Sequence, residues 1–135
     1  MKLLFTAYLV VPAIVSAAQP APHGAFHDMI VQKLGLTQVQ KDAARQVILA
    51  HKVALHAKYD AAFQAHADLF QALASPETTP AQIQALESRY SAADLAMGLE
   101  INQVVKEIAP SLTVDQIAKA QQMAADARSY IEKNS

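Results

Sequence analysis

From residue 36 onward, apolar side chains return every three or four positions, and the pattern breaks at only two places. Ile48, Leu55, Ala62 and Leu69 stand seven residues apart, and Leu49, His56, Phe63 and Phe70 form a second row beside them. After the break at "SPETTP" (75–80), Ile83, Tyr90, Met97 and Val104 repeat at the same sevenfold spacing, with Leu86 and Ala93 between them. This is the spacing of a helical seam of the coiled-coil kind. The pattern predicts a long helix over 38–74, a second over 80–109 and, after Pro110, a last helix over 114–132. A short helix over 25–34 precedes them, with Phe26, Met29, Ile30 and Leu34 on one face. Gly35 can close it in the left-handed conformation. The fold class is therefore all-α with four helices.

The helix starts carry a repeated signature. "LGLTQVQ" (34–40) contains Leu36-Thr37-x-x-Gln40, and "SLTVDQ" (111–116) contains Leu112-Thr113-x-x-Gln116. A threonine at the N-cap can accept a hydrogen bond from the backbone N–H three residues on. A glutamine at that third position can reach back to the threonine's own N–H. Both stretches read as capping boxes, and Leu112 with Ile117 adds a hydrophobic staple at the second. Thr79-Pro80-Ala81-Gln82 makes a third box, with proline at the first helical position, where its fixed φ suits a helix start.

The two long helices should reach about 55 and 45 Å at 1.5 Å per residue, too long for a compact ball of this mass. An extended antiparallel helical hairpin with one face covered by a partner fits better. Two adjacent apolar rows on the first long helix exceed what a single hairpin seam requires. The second row is left for the last helix, a second subunit or a bound client.

Composition agrees with close-packed helices. Hydrophobic residues make up 53% of the 135 positions, much of it alanine, while glycine occurs three times and aromatics are 6%. Residues 1–18, "MKLLFTAYLVVPAIVSAA", join Lys2 to a short apolar run and a small-x-small end. They read as a cleaved secretory signal peptide rather than a membrane anchor. Residues 19–24, "QPAPHG", then form a flexible leader, and 25–135 form a single helical domain. Cleavage after Ala18 removes Lys2 and takes the formal net charge from −1 to −2, ten basic residues against twelve acidic. That balance does not suit a nucleic-acid partner. No cysteine is present, so an exported domain must be held by packing alone.

Catalytic chemistry finds no foothold. The chain has no cysteine nucleophile, glycine-rich phosphate loop, HExxH or GxSxG, so no enzyme and no cofactor are expected. Metal is the open alternative. His23 and His27 have the i, i+4 spacing of two helical ligands, although His23 falls in the proline-containing leader. His51 and His56 point some 140° apart on a helix. His56 and His66 fall in apolar rows and read as packing or interface residues.

Export, four helices, long central helices and two LTxxQ boxes together resemble the Spy/CpxP family of small periplasmic proteins. The resemblance rests on "LGLTQVQ" and "LTVDQ" and their separation, and covers nearly all of the chain after residue 18. It implies an antiparallel, cradle-shaped all-α homodimer in the periplasm. The implied activity is ATP-independent and chaperone-like: binding unfolded or misfolded envelope proteins, or acting on a stress-sensor protein in the envelope stress response. Related proteins bind or sense heavy metals, so the alternative is a zinc, nickel or cobalt sensor or resistance protein of the same fold. One departure stands out: chaperone members tend to be basic, and this chain is slightly acidic. Its charge is uneven, however. Lys33, Lys41, Arg45, Lys52 and Lys58 crowd the front, while Glu87, Asp94, Glu100 and Glu107 dominate the second long helix. The residues expected to meet a client are Leu49, Phe63 and Phe70 for apolar contact, and Arg45 and Lys52 for charge. No stable membrane insertion is expected after signal cleavage.

Overall fold

The computed structural model describes residues 32–134. The expected signal peptide at 1–18, the expected leader at 19–24, most of the short helix expected at 25–34 and the His23/His27 pair lie outside the described residues. Within them the chain is all-helical. Helix α1 spans Gln38–Leu73, α2 Pro80–Ile108 and α3 Val114–Asn134, with a 3-10 turn at Ala109–Ser111 between α2 and α3. These bounds fall within one or two residues of those the apolar pattern predicts. Among the described residues no helix is long and apolar enough to cross a membrane.

Each boundary has a local cause. Residues 32–34 are helical, and Gly35 then takes φ 62°, with its N–H donating to Gln32 O at 3.2 Å. That is the left-handed closure only glycine adopts cheaply. α1 ends through Ala74 N–H to Phe70 O and Ser75 N–H to Ala72 O, both 3.2 Å. α2 ends before Pro110, which cannot donate to the helical ladder. There the chain tightens into the 3-10 turn: Ser111 Oγ donates to Ile108 O at 2.7 Å, and Leu112 N–H to Ala109 O at 3.0 Å.

The chain falls into two compact units. Lys52–Glu100 form one, and the chain on either side of that segment forms the other. The flanking unit, which holds the start of α1, the end of α2 and all of α3, buries Leu34, Ala44, Ile48, Ile101, Val104 and Ile108, with Val104 fully enclosed. Gln116 is the only polar side chain buried among the described residues. The Lys52–Glu100 unit has a thinner core of Ala62, Ala65 and Met97, with Ile83, Leu86, Tyr90 and Ala93 half-buried along α2. Alanines at the contact let helices approach closely, because interaxial distance follows side-chain size. The alanine-rich composition is put to use here.

Polar pairs add orientation within each unit. In the Lys52–Glu100 unit, Lys58 Nζ lies 2.5 Å from Glu100 Oε2, and Arg89 donates to Asp68 Oδ2 at 2.8 Å. In the other, His51 Nε2 and Glu107 Oε2 are 3.1 Å apart, and Gln103 donates to the second oxygen of Glu107 at 2.9 Å. Arg89 and Asp68 are both exposed enough for water and salt to screen them, so that pair contributes at most about 1 kcal/mol.

Candidate functional site

The three boxes close as reciprocal caps. Thr37 N–H donates to Gln40 Oε1 at 2.9 Å, and Gln40 N–H donates to Thr37 Oγ1 at 3.2 Å. Thr113 and Gln116 repeat the same two bonds at 2.9 and 3.2 Å. Thr79 and Gln82 do so at 2.8 and 3.3 Å. Each box satisfies two backbone donors that a helix start leaves without partners.

The Thr37 and Thr113 boxes go further, in a way the spacing alone does not reveal. Gln40 Nε2 donates to Gln116 Oε1 at 2.8 Å, and Gln116 Nε2 donates to Gln40 Oε1 at 3.0 Å. The remaining N–H of Gln40 goes to Ser111 O at 3.0 Å, and that of Gln116 to Gly35 O at 3.2 Å. Ser111 and Gly35 each stand two residues before the threonine of their own box, so the arrangement repeats itself with the roles exchanged. Every donor and acceptor of both amides is used: two N–H bonds given and two carbonyl bonds received by each. At 8% exposure Gln116 can be buried this way without an unmet polar atom. The pair also places carbonyl oxygens at two helix N-termini that meet, where the partial positive ends of both helices favour them.

A capping box alone accepts glutamate as readily as glutamine. This pair does not, because each amide must donate and accept at once and a carboxylate only accepts. The glutamine of Leu-Thr-x-x-Gln is thus specified by the contact between helix starts. Gln82, in the Thr79 box, is exposed, and among the described residues its capping bonds run only to Thr79. Leu36 and Leu112 are both half-buried beside their boxes.

The residues expected to meet a client all lie on α1, and all are exposed. Leu49, Phe63 and Phe70 keep 52%, 58% and 69% of their surface in contact with solvent, while the parallel row has Ile48 and Ala62 buried and Leu55 and Leu69 half-buried. The two rows therefore divide: one packs inward and the other faces out. Arg45 and Lys52 are exposed. Among the described residues neither enters an ion pair. Lys58, part of the same basic crowd, is tied to Glu100.

The outward row is more aromatic than its sevenfold members suggest. Tyr59, 52% exposed, stacks on Phe63 with ring centroids 6.3 Å apart and planes 17° from parallel. His66 lies 6.2 Å from Phe70 and 5.1 Å from Tyr90. His66 is thus an aromatic neighbour within its unit, and His56 is exposed in the outward row. Tyr59 falls three residues after His56 and four before Phe63, so helical spacing could have included it. Val53, Leu95 and Leu99 are also exposed, the two leucines on α2.

Among the described residues, no three histidine, aspartate or glutamate side chains gather where a metal ion could be held. Searches of protein-family models, curated proteins and solved structures return no match to this chain.

Proposed function

We propose that the protein is an exported, periplasmic, chaperone-like binder of partly unfolded or stress-related proteins, acting without a nucleotide, and that it belongs to the Spy/CpxP group of LTxxQ proteins. The observation that carries this reading is the outward row of α1. Within the Lys52–Glu100 unit Tyr59, Phe63 and Phe70 present apolar surface to water and Lys52 is exposed; within the flanking unit Leu49 is exposed, with Arg45 exposed four residues before it. An apolar row of this kind, rimmed by charge, marks an interaction site more often than a bare surface. Weak apolar contact joined to screened electrostatic attraction allows a client to bind and leave without an energy source.

The same reading includes a long antiparallel hairpin of α1 and α2 in a homodimer. Support for the hairpin comes from the Lys52–Glu100 unit. Moving from Lys58 to Asp68 along α1, the partners on α2 retreat from Glu100 to Arg89. The paired LTxxQ boxes support the family reading.

The test is aggregation of a denaturing test protein, followed by light scattering. Suppression is expected without ATP or metal, and should weaken at high salt. Arg45→Glu with Lys52→Glu should reduce it while circular dichroism shows intact helices. His23→Ala with His27→Ala should leave it unchanged. Stoichiometric zinc, nickel or cobalt binding that this last pair abolishes, with no effect on aggregation, would replace this reading with a metal sensor.

A further inference from the structure

Helix α3 is held unevenly. Its first turn carries Gln116, whose amide makes four hydrogen bonds, including two to Gln40 and one to Gly35 O. Beyond Gln116, none of its described side chains is buried. Ile117, Ala120, Met123, Ala124 and Ala127 form a half-buried row in which alanine predominates. The side-chain hydrogen bonds of Gln122, Arg128 and Asn134 all stay inside the helix, four residues apart. The link back to α2 is the short 3-10 turn around Pro110.

The attachment is therefore concentrated at one end. An alanine row removes little apolar area from water, and hydrophobic stabilisation follows area. The amide pair, by contrast, is all or none: losing one amide strands the donors and acceptors of the other. Segments with few buried contacts open locally, below the free energy of global unfolding.

We propose that the Gln40–Gln116 amide pair is a latch for α3. When it opens, α3 parts as a body from the rest of its unit and bares apolar surface, while α1 and α2 stay helical. The capping bonds make this possible. Thr113 and Gln116 cap α3 from within its own segment, so the helix keeps its cap as it parts, but a lone helix of 21 residues is marginal in water and its amides then exchange. The inference concerns which part opens, not what binds, and it stands apart from the binding reading.

Hydrogen exchange read by mass spectrometry on the folded protein tests it. Gln40→Glu separates latch from cap: the carboxylate still accepts from Thr37 N–H but cannot donate to Ser111 O. Gln40→Met removes the amide without adding charge, and Thr79→Ala disturbs a box that has no latch. In the unaltered protein, protection should be strongest just after Gln116 and decline toward Tyr130. Both changes at Gln40 should speed exchange across 117–130 by about tenfold or more, as local opening does, with 81–100 unchanged. Thr79→Ala should leave α3 as it was. The proposal is overturned if α3 keeps its protection in both Gln40 variants. It is equally overturned if α2 loses protection in step with α3, which would make the amide pair a support of the whole fold.

Discussion

At the residue scale, the repeated motif separates two jobs that one glutamine performs. Thr113→Ala removes the side-chain acceptor for Gln116 N–H and nothing more, so stability should fall by about 0.5–2 kcal/mol. Gln116→Glu keeps a cap acceptor but turns two donors into acceptors at a buried position facing Gly35 O and Gln40 Oε1. Its cost should exceed that of Thr113→Ala, at about 2 kcal/mol or more near neutral pH. The pH dependence gives the cause. Once protonated, the introduced carboxyl group can donate again, so the fold favours the neutral acid and raises its pKa above the unfolded value of about 4.3. A raised folded pKa contributes stability that is present below the unfolded pKa and lost as pH rises through the folded one. Acidification should therefore narrow the gap between Gln116→Glu and the unaltered protein in thermal melts. A gap that stays constant with pH would mean the carboxylate is solvated and the amide pair is not the constraint.

At the element scale, the division of α1 into an inner and an outer row gives opposite expectations for similar side chains. Ile48→Ala empties space in a packed core and should cost about 2–5 kcal/mol, whereas Phe63→Ser and Phe70→Ser on the exposed row should each stay within about 0.5 kcal/mol. Urea denaturation of the three variants checks the division; a large loss at Phe63 would place that ring in a core. The existence of the rows was legible in the sequence, because sevenfold spacing fixes which residues share a face. Helix ends were legible too, since Thr37, Thr79 and Thr113 announce caps and Gly35 and Pro110 announce stops. Which row turns inward was not legible: Leu49 and Phe63 are as apolar as Ile48 and Leu55, and only the packing within each unit decides. The Gln40–Gln116 contact was hidden for a similar reason. Capping is local and readable over four residues, while a contact across seventy-six positions depends on how three helices come together. The one sequence trace of it is that both boxes use glutamine where glutamate would cap equally well.

At the scale of the whole molecule, the exposed row must answer to one of two occupants, and a single variant can tell them apart. Tyr59, Phe63 and Phe70 stay exposed within the Lys52–Glu100 unit, and Leu49 within the flanking one. If a second copy covers it, sedimentation at micromolar concentration should show a dimer, and Phe63→Glu with Phe70→Glu should give a monomer, because burying two unpaired carboxylates costs far more than the contact returns. If clients cover it, the dimer should form through another surface and survive the change, while suppression of aggregation is lost. The proposed cradle requires the second pattern, since its client surface has to stay open after two chains have joined. A monomer before any substitution would remove the cradle altogether. We expect a dimer that persists in the double variant with helicity intact and with aggregation no longer suppressed. The exposed aromatics then serve the bound protein, and the chains meet elsewhere.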